Sequence, residues 1–286
     1  MYTKNDYLKK LQQDVELRDY SDRTLERYIS NVSNFLNYME TIDEDKAIAD
    51  YDEYDALEYM AYLQREREYK NSTYNTLNSV LKFFLEVTLG KNISYRRMPS
   101  KKVGYRIKVI PTKKVIEYII ANTKNLKHKC WYSLAYGSGL RVCEIAKLKM
   151  KDIDSRNKKI RVIGKGNHER ITLLSRPTLD LLIEYVNSEN IRGAETYIFA
   201  GQNREHISEA TIALSLRKLL RKLKIKEKIT MHAFRRSFAT HLLMSGVELE
   251  AVKELMGHKS ILTTSEYLKY VHKDTQIKSP LDRKNS

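Results

Sequence analysis

The stretch Met231-His232-Ala233-Phe234-Arg235-Arg236-Ser237-Phe238-Ala239-Thr240-His241 decides how this chain is interpreted, together with Gly257-His258 and Tyr267 further on. Residues i and i+3 of a helix point to the same side, so His232 and Arg235 are expected to present their side chains together. Histidine, arginine and tyrosine at these offsets form a set suited to holding a phosphate beside a nucleophile.

The charge balance points to a polyanionic partner. Lys and Arg number 52 against 36 Asp and Glu, which gives a formal net charge of +16 over 286 residues. Such a surplus favours nucleic acid ahead of a membrane surface, although a basic but inert surface stays open at this point. The length suits two ordinary domains, and a hydrophobic content of 42% allows packed cores.

The cysteines and the apolar runs limit the cellular setting. Cys130 and Cys143 are the only cysteines, too few for a disulfide framework or a four-ligand zinc site, so a reducing cytoplasm fits. No apolar stretch approaches the roughly 18 residues of a membrane span, and the N-terminus has no apolar signal core.

Apolar spacing predicts a small all-helical domain over residues 1–92. A basic linker, residues 93–110, follows, where Pro99 and Gly104 interrupt regular structure. The linker is either solvated or laid along a phosphate backbone. Four helical runs are predicted before it: Asp6–Leu17, a run capped by Ser21, about Ile48–Arg67, and a run capped by Asn71 or Ser72.

The second half mixes helices with one β-hairpin. Two segments alternate apolar and polar residues, Lys159–Val162 and Arg170–Leu173, and they flank Gly164-Lys165-Gly166-Asn167. A short strand is also predicted at Tyr197–Phe199. Helices are predicted at Val115–Ala121 with Thr112 as cap, at Trp131–Tyr136, from Leu140 through Ile145, at Thr178–Val186 and at Ser208–Leu223.

Two basic segments are the candidate DNA-binding surfaces. Leucines in the second of them keep a core face, so its cations are free to face DNA. The candidate DNA-binding residues are Arg96, Arg97, Lys101, Lys102 and Arg106 in the linker, and Arg217, Lys218, Arg221 and Lys222 in the later helix.

Each candidate site residue is unconvincing alone. Arg141 could simply pair with Glu144 one turn later, Lys165 could be a solvated turn lysine, and Tyr267 is one of 20 tyrosines. Their order and spacing together are informative.

Taken together, the motifs resemble the tyrosine recombinase (phage integrase-like) family, nearest to its small Xer-type members and transposon resolvases. Gly139–Glu144 resembles the first arginine box, and His232–Arg235 matches the His-x-x-Arg box. Leu255–His258 continues to Tyr267 as in the family, and Gly164–Gly166 resembles its lysine hairpin. Arg236 stands where many Xer relatives have histidine.

This resemblance implies a mainly α fold with a small β-sheet in the C-terminal domain, arranged as a two-domain C-shaped DNA clamp. Residues 1–92 would be the helical core-binding (SAM-like) domain and residues 111–270 the catalytic domain. The tail, residues 271–286, is either exchanged between subunits or a frayed polar end.

The implied activity is site-specific DNA recombination through a 3′-phosphotyrosine intermediate and a Holliday junction. Two arginines replace the charge that a metal would supply, so neither metal nor cofactor is expected. The expected roles are phosphate clamping by Arg141 and Arg235, nucleophilic attack by Tyr267, proton acceptance by His232, a phosphate hydrogen bond from His258, leaving-group protonation by Lys165, and orientation of Arg141 by Glu144.

The implied partners are double-stranded DNA with a short inverted-repeat core site and further copies of the chain, as a homotetramer on two DNA sites. A cytoplasmic, nucleoid-associated protein without a membrane role is expected. Integration, resolution and inversion stay open as biological outcomes. Two alternatives remain: a non-catalytic DNA-binding protein of the same fold, and a type IB-like topoisomerase.

Overall fold

The computed structural model describes residues 2–104, 108–164, 169–201 and 205–271. The chain divides into two compact units, with the boundary after Arg106. The described helices include none that is long and apolar enough to cross a membrane.

The N-terminal unit packs four helices around one core. Phe35, Met60, Leu81 and Phe84 are fully or almost fully buried there. The helices are α1 (Lys4–Glu16), α2 (Asp22–Ile42), α3 (Glu53–Arg67) and α4 (Asn71–Phe83), and α4 continues into a π-helical turn, Phe84–Thr88.

Three details of this unit correct the sequence-based prediction. The third helix begins at Glu53, because the Asp52 side chain caps it by accepting hydrogen bonds from the Tyr54 and Asp55 backbone N–H groups. Ile48–Asp50, predicted as the start of this helix, is a separate 3-10 turn. Lys70 precedes α4, so Asn71 is its first residue and does not cap it.

The predicted linker lies partly inside this core. Ile93 is 6% exposed and Met98 is fully buried, so the compact unit extends beyond residue 92. The Asn78 amide fixes the same segment by donating to the Met98 carbonyl at 3.0 Å. The stretch 93–98 is therefore anchored in the core at both ends by Ile93 and Met98, while residues 95–97 between them are exposed.

The second unit contains nine helices and a three-stranded sheet among its described residues. Trp131, Tyr132, Phe199 and Phe234 form the centre of its main core. The helices are α5 (Lys113–Ala121), α6 (Leu126–Gly137), α7 (Val142–Ala146), α8 (Arg176–Ser188), α9 (Glu209–Lys222), α10 (Met231–Met244), α11 (Leu249–Met256), α12 (Ile261–Ser265) and α13 (Leu268–Val271).

The sheet is antiparallel in the order β1 (Ile153–Asp154), β2 (Lys159–Ile163) and β3 (Glu169–Leu173). Ile160 of β2 pairs with Thr172 of β3, and both side chains are buried. The predicted hairpin is therefore confirmed, while its tip with Lys165 lies outside the described residues.

The two long strands bury different kinds of residue. In β2 the apolar Ile160 and Val162 face inward, but in β3 Thr172 is buried and Ile171 is 58% exposed. Arg170 shares the inward face with Thr172, because alternate residues of a strand face the same side. An arginine thus enters the domain interior from the sheet.

The predicted strand at Tyr197–Phe199 is wrong. Tyr197 forms only an isolated bridge with Lys149, and Ile198 donates its backbone N–H to the Leu148 carbonyl at 2.8 Å. Ile198 and Phe199 are buried by core packing rather than by a ladder.

Candidate active site

Gly139 brings the first arginine close to the centre of α10. Its φ is +64°, a conformation that suits glycine, and a Cβ there would overlap the Phe238 ring. The chain then turns directly into α7, with Arg141 at the position before its first residue. The Gly139 carbonyl accepts a hydrogen bond from the Arg235 guanidinium.

Glu144 is the common counter-ion of the site. It accepts the Arg141 backbone N–H at 2.7 Å and the Arg141 guanidinium at 2.8 Å. Arg235 lies 3.7 Å from the same carboxylate. Burial opposes ionisation of Glu144, but the surrounding guanidiniums outweigh it and hold its pKa at about 2. The carboxylate is therefore charged at every physiological pH.

Arg170, which the sequence did not single out, binds this carboxylate in the bidentate manner. Its two terminal nitrogens lie 2.7 Å from the two Glu144 oxygens. Its Nε donates to the Leu255 carbonyl at 3.0 Å. The hairpin register could have indicated this role. Arg170 pairs with Val162, whose side chain is buried, so the Arg170 side chain faces the same interior side of the sheet.

Arg235 is buried to 5% exposure in α10, where Thr230 caps the helix. Its guanidinium donates to the Gly139 and Met256 carbonyls. Burial and the neighbouring Arg141 lower the pKa of Arg235 to about 9, so it remains charged at neutral pH. An arginine held this rigidly is preorganised for an incoming anion.

His232 lies on the same helix as Arg235, with its imidazole accessible to solvent. Burial by the surrounding protein lowers the pKa of His232 below the ordinary 6.5, and the positive charges of Arg236 and Arg235 lower it further. His232 is consequently neutral at pH 7 and able to accept a proton.

His258 follows Gly257, whose φ of +60° ends α11. Its Nδ1 lies 2.8 Å from the hydroxyl of Thr264, a buried residue whose part the sequence did not reveal. Burial and then Arg235 lower the pKa of His258 to about 4, so the ring is neutral. If the hydroxyl donates to Nδ1, the imidazole proton resides on Nε2 and is available to a phosphate.

Tyr267 packs in a small apolar cluster with Phe238, Leu243 and Met256 and is 8% exposed. Its ring centre lies 6.2 Å from that of His258. Burial raises the pKa of Tyr267, and Arg235 leads the cations that oppose this rise. The phenol is therefore neutral in the DNA-free protein, and it lies beside His258 of the same chain.

The Tyr267 segment is fastened to the start of this unit. The Lys108 backbone N–H donates to the Tyr270 hydroxyl at 3.1 Å, and the Lys108 ammonium pairs with Glu266. Arg236 donates to the Val109 carbonyl at 3.2 Å. Residues 108 and 109 thus hold both α10 and the helical turn that carries the nucleophile candidate.

The structure accordingly brings together Arg141, Glu144, His232, Arg235, His258 and Tyr267 in the second unit. Lys165 and Arg106 lie outside the described residues. Within the described ranges, no group of three or more His, Cys, Asp or Glu residues is arranged to hold a metal ion.

The DNA-binding candidates fall into two kinds. The candidates exposed to solvent are Arg96, Arg97, Lys102, Arg217, Lys218, Arg221 and Lys222, whereas Lys101 is half-buried. Arg97 is paired with Glu53 at 2.6 Å, and the Lys101 ammonium lies 4.1 Å from the centre of the Tyr74 ring. Arg97 and Lys101 thus already have partners within their own unit.

Two family models match this chain. The phage integrase family matches residues 111–276, and the phage integrase N-terminal SAM-like domain matches residues 7–95. The chain belongs to the phage integrase family. It is therefore an enzyme of the tyrosine recombinase class, which cleaves and rejoins DNA.

A tyrosine recombinase of Pseudothermotoga lettingae is 30% identical over 270 residues, covering 91% of this chain and 92% of that protein. The crystal structure of XerA recombinase is similar, with TM-score 0.55, 23% identity, and coverage of 96% and 99%. The Tn1549 transposon integrase with transposon right end DNA gives TM-score 0.69, 18% identity, and coverage of 91% and 94%. At these identities the structures support the two-domain fold alone.

Proposed function

We propose that this enzyme is a site-specific recombinase that uses Tyr267 to form a 3′-phosphotyrosine. The observation that carries the proposal is the position of Tyr267, beside His258 and within the field of the buried Arg235. The family assignment supports recombination, and the side chains of this site supply the chemistry.

The guanidiniums of Arg141 and Arg235 would hold the two non-bridging oxygens of the scissile phosphate. Arg141 keeps a third of its side chain exposed. One terminal nitrogen bonds Glu144 at 2.8 Å and the other lies 3.4 Å from the Gly257 carbonyl, so the N–H groups not used in these bonds are available to an anion. The cationic site offsets the charge that grows on the oxygens as phosphorus becomes five-coordinate. His258 would add a hydrogen bond from Nε2.

Attack by Tyr267 forms the bond between the phenolic oxygen and phosphorus while the bond from phosphorus to the 5′ oxygen breaks. The phenol proton passes to His232, which is neutral at pH 7. The leaving 5′ oxygen needs a proton, and Lys165 on the hairpin remains the proposed donor. Attack by a 5′ hydroxyl reverses each step, so rejoining requires no external energy source.

The proposed DNA contacts are mostly electrostatic. The outward face of α9 carries exposed Arg217, Lys218, Arg221 and Lys222, and Arg96 and Lys102 are exposed in the N-terminal unit. Such cations bind phosphates without reading sequence, so they would position the DNA. Arg97 and Lys101 would have to leave their partners to take part.

We infer that the complete reaction joins two double-stranded sites with inverted-repeat cores in a homotetramer and passes through a Holliday junction. Strand exchange needs cleavage in two duplexes, which one copy of this site does not provide. A cytoplasmic, nucleoid-associated location follows from the DNA substrate. The reaction would serve integration or resolution of a mobile element, or resolution of dimers.

The test begins with a random duplex library, from which the Tyr267→Phe protein selects a binding sequence. A nicked suicide duplex carrying that sequence, called the selected duplex below, is then incubated with each protein. Wild type is expected to form a covalent adduct, Tyr267→Phe none, and Tyr118→Phe, at an exposed tyrosine of α5, the wild-type amount. Adduct from Tyr267→Phe would contradict the assignment of the nucleophile.

Two further outcomes separate the rival functions. DNA binding without any adduct from wild type would indicate a non-catalytic DNA-binding protein. Relaxation of supercoiled plasmid that lacks the selected sequence would indicate a topoisomerase.

A further inference from the structure

Three arginine side chains donate hydrogen bonds to three consecutive backbone carbonyls at the C-terminal end of α11. The Leu255 carbonyl accepts from Arg170 at 3.0 Å, the Met256 carbonyl accepts from Arg235, and the Gly257 carbonyl accepts from Arg141 at 3.4 Å. The last carbonyls of a helix lack partners within the helix and form its negative end. This end therefore acts, with Glu144, as the counter-charge that collects the guanidiniums.

Arg170 differs from the other two in having no free nitrogen. Nε bonds Leu255, and the two terminal nitrogens bond the two oxygens of Glu144 at 2.7 Å. Its side chain is only 9% exposed, against 33% for Arg141. Arg170 is therefore bonded to protein through all three of its nitrogens, and its guanidinium is directed at Glu144 and the end of α11.

The same side chain packs on the turn that delivers His258. A Cβ at Gly257 would lie 2.6 Å from the Arg170 Cδ, so the aliphatic stem of Arg170 touches the turn directly. Because His258 follows Gly257 in the chain, the position of the turn sets where the imidazole begins. One arginine thus contacts both the carboxylate that holds Arg141 and the backbone that places His258.

Glu144 depends strongly on this contact. It is surrounded by the guanidiniums of Arg141, Arg170 and Arg235, and Arg170 provides two of its hydrogen bonds. A fork of two parallel bonds fixes the orientation of a carboxylate as well as its charge. Without the fork, Glu144 can rotate, and the Arg141 guanidinium that it holds can move with it.

We propose that Arg170 is a positioning residue of the cleavage reaction, which fixes Glu144 and the end of α11 so that Arg141, Arg235 and His258 converge on one phosphate. This inference rests on the proposed function, because it assigns Arg170 to the chemistry of that site. Arg170 acts through other side chains and touches no reacting atom.

The experiment measures single-turnover cleavage of the selected duplex, DNA affinity and thermal unfolding for each variant, at a temperature where every variant is folded. Arg170→Met is expected to cleave about 30-fold or more slowly, with DNA affinity within about threefold of wild type. Arg170→Lys keeps the charge but loses the fork, so it is expected to remain at least about tenfold slow. It also serves as the test if Arg170→Met does not fold.

A double-mutant cycle shows whether Arg170 works through Glu144. In a Glu144→Gln background, Arg170→Met is expected to slow cleavage several-fold less than it does with Glu144 present, because the carboxylate that it orients is gone and only its contacts with the end of α11 remain. The matched control is Arg176→Met, an exposed arginine of α8 paired with Asp180, which should cleave at the wild-type rate.

The outcomes separate this inference from the function on which it rests. No adduct from wild type would remove the proposed function itself. Wild-type cleavage by Arg170→Met, effects that multiply in the double variant, or a loss of DNA affinity equal to the loss of cleavage would each overturn the positioning role while leaving the function intact.

Discussion

The buried guanidiniums around Glu144 and the exposed cations of α9 have the same charge in opposite surroundings. Arg235 is 5% exposed and bonded to two carbonyls, whereas Arg217 and Lys218 are open to solvent. A buried charge costs free energy unless its partners are fixed, and fixed partners preorganise it for one anion. An exposed charge interacts weakly with any one partner, because water and salt screen it. The first group therefore suits the reaction step and the second suits capture of DNA.

The largest expected effect is at Arg235. Arg235→Lys keeps a cation but cannot donate to the Gly139 and Met256 carbonyls and to a phosphate in the same geometry. Cleavage of the selected duplex is expected to fall by roughly 10²–10³-fold, the usual cost of losing a preorganised donor. Single-turnover kinetics measure this, and a loss below tenfold would show that burial gives Arg235 no special role.

The pH profile tests the histidine beside Arg235. The lowered pKa of His232 makes its neutral form the major one at pH 6.5, and its capacity as a base is fully present at higher pH. It is lost as the pH falls through the lowered value. The second-order cleavage rate is expected to be flat above pH 6.5 and to decline below it. An acid limb centred above pH 6.5, absent in His232→Gln, would contradict the inferred environment.

A smaller effect is expected at Thr264. Thr264→Val keeps the shape but removes the hydroxyl that meets the His258 Nδ1 at 2.8 Å. We expect cleavage to slow by about tenfold, because the tautomer with a proton on Nε2 loses its support, and stability to fall by about 1 kcal/mol. Thr264→Ser should recover most of the rate. Equal rates for the valine and serine variants would exclude this role of the hydroxyl.

The smallest effect on chemistry is expected at the α9 cations. Replacing Arg217, Lys218, Arg221 and Lys222 by glutamine should lower the slope of log affinity against log salt by about 0.9 for each lost phosphate contact. Cleavage at saturating DNA should be unchanged. An unchanged salt slope, or a slower reaction at saturation, would mean that the two groups of cations are not divided as proposed.

Much of this site could be predicted from the chain, because its motifs are local. His232 and Arg235 lie three residues apart, so helical spacing indicated that they share one face. The resemblance to the recombinase motifs, and not spacing by itself, indicated that Arg141, His258 and Tyr267 join them. Likewise, the alternation of Lys159–Val162 indicated a strand, and the structure confirms it.

The parts that were missed depend on contacts between distant segments. Arg170 meets Glu144 and Leu255 through tertiary packing, and in β3 the apolar Ile171 is exposed while the polar Arg170 and Thr172 face inward. Ile93 and Met98 lie among cations, which hid their burial behind the charge pattern of a linker. Pattern reading is weakest where a polar residue is buried by a partner far along the chain.

The central claim is that the phenolic oxygen of Tyr267 becomes bonded to DNA phosphorus. Trypsin digestion of the adduct formed on the selected duplex should release Ser260–Lys269, in which Tyr267 is the only tyrosine. Mass spectrometry is expected to find the nucleotide on Tyr267, linked through a 3′ phosphate. Attachment to any other residue, or through a 5′ phosphate, would contradict the account.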